Sequence, residues 1–284
     1  MIKEHEIPSG SRLYFGQSAK FKRQIETTAS TIFYEAGFEE ILTPFFSYHA
    51  HQALDNDQTL IHLADGENEP VVLRADSSLD VVRLITRRLG RAVDHNRWFY
   101  VQPVFRYPTT EIYQIGAEVI GSSDVQIIID LALSIIKAVE QKPVLELSNV
   151  KISRLMIEQE GIDPAWIKNG NIGALRQSAQ DWIKALMSVH TIDDAYRVAD
   201  MCPQAIADEL RHLASTAQDM DYCDYVLYPL HYADMCYYDD IVFRLIDGNS
   251  VIATGGHYLN GNDSAVGFAL YTDHIVENLL KGEL

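Results

Sequence analysis

Basic residues are scarce in this chain. It holds 23 Lys+Arg against 40 Asp+Glu in 284 residues, a formal net charge of −17. A field of that sign repels polyphosphate. It excludes a wide grip on tRNA or duplex DNA, because such binders displace counterions with clustered Lys and Arg. Cysteine is scarce too. Cys202, Cys223 and Cys236 are odd in number and well separated, which gives neither a CxxC zinc site nor the framework of a secreted scaffold. They read as small buried hydrophobes. Long apolar runs are missing. The most apolar stretch, 125–139, is broken by Asp130, Ser134 and Lys137 and is too short to span a bilayer. The N-terminal Met1-Ile2-Lys3-Glu4-His5-Glu6 lacks the apolar core of a signal peptide. A cytoplasmic protein is expected, with no nucleic-acid partner, no membrane, no metal and no cofactor. P-loop, GxGxxG, HExxH and GxSxG motifs are all absent.

What is present is ordinary for a soluble domain: 47% hydrophobic and 22% charged residues, in a chain long enough to bury a sizeable core. Phe21, Ile25, Ala29, Ile32 and Phe33 recur at three- and four-residue steps and predict a helix over 18–36, ended by Gly37. Short strands follow at 39–44 and 71–74. Ser78 is placed to cap a helix running to about Leu89. Arg87, Arg88 and Arg91 at its end either complement the helix dipole or form a nucleic-acid patch. Strands at 98–106 and 111–120, separated by Tyr107-Pro108-Thr109-Thr110, form a hairpin. A helix over 124–140, a strand over 144–147 and a helix over 153–160 come next. From 164 to 220 the periodicity is helical throughout. Strands return at 225–232, 240–246 and 251–254, the last two turning on Asp247-Gly248-Asn249. A strand over 265–271 and a helix over 272–281 close the chain. Strands paired in hairpins with helices between the groups predict α+β, an antiparallel sheet flanked by helices. The expected division is a core of 1–160 and 222–284 with a helical insertion at 161–221.

Three groups of segments carry a resemblance. The first is Gly37-Phe38-Glu39-Glu40-Ile41-Leu42-Thr43-Pro44 with Leu73-Arg74-Ala75-Asp76-Ser77-Ser78. The second is Val104-Phe105-Arg106 with Tyr113-Gln114-Ile115-Gly116-Ala117-Glu118-Val119-Ile120-Gly121. The third is Tyr237-Tyr238, Ile241-Val242-Phe243, Gly255-Gly256-His257-Tyr258 and Val266-Gly267-Phe268-Ala269-Leu270. In order and spacing they resemble the catalytic domain of histidyl-tRNA synthetase, a class II synthetase, over nearly the whole chain. The resemblance implies a histidine pocket. Asp76 and Ser78 stand where the family places ammonium partners, and Gln114 beside them serves the ammonium or the carboxylate. Arg106 stands at the family's arginine, and Glu118 and Tyr238, with Tyr237 beside it, bracket the imidazole. Gln114, Gly116 and Glu118 alternate by two and share one strand face, the glycine leaving room for a ligand. Read without the resemblance, Glu118 pairs with Arg106, the two tyrosines belong to an ordinary strand, and Asp76 and Ser78 are helix caps.

The departures fall on phosphate chemistry. An arginine expected five residues before the second tyrosine is Ala233. The C-terminal motif that ends in an ATP-binding arginine reads Tyr271-Thr272-Asp273-His274. Gly-Gly-Arg-Tyr has become Gly255-Gly256-His257-Tyr258, and the arginine-bearing loop after Arg106 is cut short. Guanidinium forks hold phosphate oxygens, so their loss removes adenylation. No anticodon-binding module is expected after the last helix. A histidine-binding chain reduced in this way resembles the regulatory subunits of ATP phosphoribosyltransferase. That resemblance implies a non-catalytic subunit in the first step of L-histidine biosynthesis, self-associating as a dimer. It would join the short-form catalytic subunit in a hetero-octamer, activate it, and relay feedback by L-histidine. A reduced synthetase-like aminoacylating enzyme and a stand-alone histidine sensor remain as alternatives.

Overall fold

Strand alternation in the central hairpin sets the frame. The computed structural model describes residues 6–48, 59–89, 93–177, 180–232, 237–261 and 263–282. Strands β5 (Arg97–Arg106) and β6 (Thr110–Ile120) pair over their full length, from Arg97 opposite Val119 to Arg106 opposite Thr110. Thr110 therefore belongs to the strand, and the turn is one residue shorter than expected. The eight-stranded sheet also contains β1 (Glu39–Glu40), β7 (Val144–Asn149), β8 (Tyr225–Leu227), β9 (Tyr238–Asp247), β10 (Ser250–Asn260) and β11 (Asp263–Tyr271). Their order is β1-β5-β6-β11-β10-β9-β7-β8. Only the two edge pairs, β1 with β5 and β7 with β8, are parallel. A small second sheet joins β2 (Phe46–Ser47), β3 (His62–Ala64) and β4 (Pro70–Leu73) in the order β2-β4-β3.

The helices cover the sheet with the faces their periodicity dictates. Helix α1 (Gly16–Glu35) buries Phe21, Ile25, Ala29 and Phe33, and the Phe33 ring stacks on Phe99 of β5 at 4.9 Å. Gly37, at φ +77°, ends it in the left-handed conformation a C′ glycine supplies. Helix α2 (Ser77–Leu84) is capped by Asp76, whose carboxylate accepts from Leu79 N at 3.0 Å. Ser78 is therefore inside the first turn, not the cap, and residues 85–89 finish the segment as a π-helical turn. Arg91 lies outside the described residues. Helices α3 (Gln126–Ala138), α4 (Val150–Glu158) and α10 (Thr272–Gly282) complete this part. The 225–232 strand stops at Leu227, while β10 runs past Thr254 to Asn260.

Between α4 and β8 lie α5 (Pro164–Lys168), α6 (Ile172–Gln177), α7 (Asp181–Leu186), α8 (Ile192–Ala199) and α9 (Gln204–Gln218). Their apolar faces do not close on themselves. Leu186, Val198, Leu210 and Leu213 join one continuous core with Phe99, Ile128 and Leu245 of the sheet side. Cys202 is half-buried and Cys223 exposed, both free thiols; Cys236 lies outside the described residues. Among the described residues no helix is long and apolar enough to cross a membrane, and no His/Cys/Asp/Glu group could hold a metal ion.

A shared core has a measurable consequence. Leu210→Ala in α9 should destabilise the protein by about 2–5 kcal/mol. Trp166 and Trp182 sit in the helical segment and Trp98 in β5. With the first two replaced by Phe, the unfolding transition followed through Trp98 should shift as far as the transition of the helices. A Trp98 transition unmoved by Leu210→Ala would show two independent units.

Candidate functional site

Glu118 is the centre of the site. It is wholly buried, on the face of β6 that also carries Gln114 and Gly116. Tyr258 donates its hydroxyl to Glu118 Oε2 at 2.5 Å. Tyr100 of β5 reaches Oε1 at 3.5 Å, and Ser78 Oγ is 3.2 Å from the same Tyr100 hydroxyl. No cation pairs with Glu118 among the described residues. The alternative pairing with Arg106 is not formed, because the two stand at opposite ends of the hairpin. Arg106 faces Thr110, whereas Glu118 faces Trp98. Burial, the largest influence, pushes the Glu118 carboxyl up to about 8; hydroxyls from Ser78, Tyr258 and Tyr100 pull it down, and Asp76 pushes it up. Burial first, then the neighbouring acid, holds the Tyr100 and Tyr258 hydroxyls well above the usual phenol range. They stay donors.

Two glycines make the space. A methyl group at Gly267 of β11, directly opposite Glu118, would overlap Glu118 Oε2. A methyl at Gly116 would overlap the Tyr100 ring. The room expected over Gly116 is therefore filled by that phenol rather than left for a ligand. Gly256 and Tyr258 bracket a register slip against β9, which brings Tyr238 opposite Tyr258. The Tyr237 ring lies 4.8 Å from Tyr238 and 5.4 Å from Tyr258, centroid to centroid. Arg154 of α4 pins this strand start, donating to Asp239 Oδ1 at 2.9 Å and to the Tyr238 carbonyl at 3.3 Å.

The remaining sequence candidates gather around that centre. Asp76 and Ser78 enter through the first turn of α2, and Asp76 acts electrostatically on Glu118, Tyr237 and Tyr238. Gln114 is buried, and its Oε1 has no hydrogen-bond partner among the described residues. Arg106 Nε reaches the Ala75 carbonyl at 3.5 Å. Its guanidinium and Tyr238 line an open cleft of about 500 Å³, together with Thr254, Gly255 and Tyr271 from the sheet. Ile167, Lys168 and Gly170 of the helical segment form part of the same cleft. The candidates thus divide. Arg106 and Tyr238 face the cleft, and Glu118 lies sealed behind it. Ala233 lies outside the described residues.

Several residues escaped the sequence reading. Tyr100 and Tyr258 complete the cage around Glu118, and Thr254 Oγ1 meets the Tyr271 hydroxyl at 3.0 Å. Arg244 lines the cleft but is committed to Glu146 Oε1, at 2.6 Å from Nη2 and 2.8 Å from Nε. His231 beside it is pushed down to about 4, by burial and then by Arg244, and is neutral at pH 7. The usable signal for Tyr100 was its register, directly across the hairpin from Gly116. Where phosphate arginines were expected, His257 Nε2 meets Ser264 Oγ at 2.6 Å, and His274 lies 3.6 Å from Glu277.

The histidyl-tRNA synthetase family model matches residues 14–275. The ATP phosphoribosyltransferase regulatory subunit of Wolinella succinogenes is 42% identical over 281 residues, covering 99% of this chain and 98% of that protein. The chain belongs to the ATP phosphoribosyltransferase regulatory subunit family. The regulatory subunit of Helicobacter hepaticus is 38% identical, covering 99% of this chain and all of that protein. An ATP phosphoribosyltransferase regulatory subunit/histidyl-tRNA synthetase from Bacillus halodurans superposes with a TM-score of 0.84 at 19% identity, covering 98% of this chain and 84% of that one. That likeness fixes the fold as class II synthetase-like. Within this regulatory-subunit family member, the antiparallel sheet flanked by helices is therefore as the sequence predicts.

Two outcomes follow from the cage. Gly267→Ala should destabilise by about 1–3 kcal/mol through overpacking against Glu118, whereas Gly66→Ala, with open space around it, should stay within about 0.5 kcal/mol of the parent. The folded state holds the Glu118 proton more tightly than an ordinary carboxyl with a value of 4.5. Stability is therefore lost as pH rises from about 4.5 to about 8 and is level beyond. Glu118→Gln, neutral throughout, should gain on the parent across that window in urea midpoints. A difference independent of pH would mean that Glu118 is ionised in the fold.

Proposed function

We propose that this chain is a non-catalytic regulatory subunit of ATP phosphoribosyltransferase, the enzyme of the first step of L-histidine biosynthesis. It activates the short-form catalytic subunit and carries feedback inhibition by L-histidine. The assembly is a hetero-octamer, in the cytoplasm, in which this chain also contacts its own copy. What supports this reading is three kinds of group in one neighbourhood, Arg106 and Tyr238 on the cleft wall and Asp76, Gln114 and Glu118 buried. Asp76 and Gln114 Oε1 offer acceptors to an ammonium, Arg106 offers a donor to a carboxylate, and Glu118 with Tyr238 offers partners to an imidazole. Ser78 and Tyr237 support this set. Where the family's phosphate arginines would stand, His257 and His274 are engaged with Ser264 and Glu277 among the described residues.

The cleft suits regulation because its walls belong to different parts of the chain. We divide the protein into a core of 1–160 and 222–284 and a helical insertion of 161–221. Histidine held by Arg106 and Tyr238 would also meet the insertion at Lys168. A ligand that touches both favours one of their arrangements over another, which is what feedback on a second chain requires. Such coupling is typically about 1–3 kcal/mol.

Reconstitution tests the proposal. Adding this chain to the short catalytic subunit should raise turnover, and histidine should inhibit the complex far more than the catalytic subunit alone. Tyr238→Phe should keep activation and lose histidine sensitivity. A Tyr238→Phe complex that remains fully sensitive would place the sensor elsewhere. Histidine-dependent pyrophosphate exchange into ATP should stay at background; robust exchange would instead support a reduced synthetase.

A further inference from the structure

Among the described residues the Glu118 cage contains an acid and three hydroxyls but no base. We propose that histidine is bound there as an imidazolium, its ring taking the proton that Glu118 carries in the empty site. The inference rests on the histidine-pocket reading above and adds the charge state that the pocket selects.

The geometry leads to it directly. An ionised carboxylate that is wholly buried without a cation is strongly disfavoured, and such groups neutralise instead. Every group facing Glu118 leaves it in that position. Tyr100 of β5 and Tyr258 of β10 are phenols, Ser78 of α2 is a hydroxyl, and the β11 neighbour is Gly267. The charged residue acting on it is Asp76, an anion, with Tyr237 and Tyr238 beyond as neutral phenols. The upward displacement of Glu118 agrees with a neutral acid at pH 7. Its two oxygens are unequal. Oε2 is held by Tyr258 at 2.5 Å, whereas Tyr100 reaches Oε1 at 3.5 Å, the limit of a hydrogen bond, with the Ser78 hydroxyl also acting on the carboxyl. Oε1, with the longer tyrosine contact, is the atom we assign to the proton that an entering ring takes.

The step balances within the site. The Oε1–H bond breaks, an N–H bond forms on the unprotonated ring nitrogen, and a neutral acid and neutral imidazole become a carboxylate–imidazolium pair. In exchange for a weak contact to Tyr100 the carboxylate gains a charge-assisted hydrogen bond. A ring of the same shape that resists protonation would lose that partner. The pocket would then discriminate on basicity as well as on shape.

Proton counting tests that Glu118 and the ring share a single proton, and 15N NMR of ring-labelled L-histidine bound to the full chain locates it: both ring nitrogens protonated is expected, and one protonated with one bare would overturn the inference. Titration calorimetry of the full chain with L-histidine, in buffers of different ionisation enthalpy, gives the protons exchanged on binding. A free imidazole titrates near about 6.5. At pH 5.5 the free ring arrives charged and Glu118 must release its proton, so about one proton should leave. Near pH 7 the transfer is internal, and net exchange should be small. At pH 8.5 Glu118 is largely ionised and the ring neutral, so more than half a proton should be taken up. That reversal should vanish in Glu118→Gln. Because that variant could bind too weakly to measure, L-1,2,4-triazolyl-3-alanine, with the same ring shape and weakly basic nitrogens, provides a second readout. It should bind the parent chain at least tenfold more weakly than histidine at pH 7. Histidine binding with no proton exchange at either extreme, or equal affinity for the triazole, would overturn the inference while leaving the histidine site intact. A parent chain that binds no histidine would remove the site and the inference together.

Discussion

A carboxyl group buried without a cation constrains everything near it. Glu118 sits in the middle of an antiparallel sheet, where an unpaired charge is expensive, and the surrounding chain meets that constraint with neutral donors. Tyr258 reaches it across β11, two residues along β10 from Gly256, which faces Gly267. Tyr100 reaches it because Gly116 across the hairpin leaves the space its ring needs. Gly267 has no side chain because the carboxyl occupies that volume. Asp76, which caps α2, brings Ser78 to the same cage through the first helical turn. Sheet register, two glycines and one helix cap are thus all tied to the placement of a single acid.

The same arrangement explains how a synthetase-like fold can serve regulation. The wall of the cleft with Arg106 and Tyr238 carries polar groups, and two of its basic residues have other duties. Arg244 is engaged with Glu146, and His231 is held neutral beside it. Arg106 remains unpaired with any carboxylate among the described residues and faces the cleft. Among the described residues the cleft thus offers one guanidinium free of a carboxylate, with Lys168 on the wall that the helical segment supplies.

Much of the frame was legible in the sequence because it is periodic. The two-residue alternation of β5 and β6 and the apolar stripe of α1 follow from side-chain direction alone. The site was legible only in part. Gln114, Glu118 and Tyr238 announce themselves as polar or aromatic groups at fixed spacing in apolar strands. Tyr100 does not, because its meaning depends on which residue faces it across the hairpin. The glycine expected to make room for a ligand instead makes room for that ring, a distinction of packing rather than pattern. Serine is a common cap and Ser78 reads as one, yet Leu79 N donates to the carboxylate of Asp76, two residues before Ser78. The slip that sets Tyr238 opposite Tyr258 is likewise a property of two strands together and leaves no local trace. Likeness to a known family, rather than composition, carried the step from a soluble α+β domain to a histidine pocket.

The central claim is that the polar groups around the cleft form one seat for free histidine. A crystal structure of the full chain grown with L-histidine tests it most directly. The account predicts the ring within hydrogen-bond distance of Glu118 and Tyr238, the ammonium near Asp76 and Gln114, and the carboxylate on Arg106. Histidine bound on another surface, with the Tyr258–Glu118 cage still sealed and the cleft empty, would contradict it.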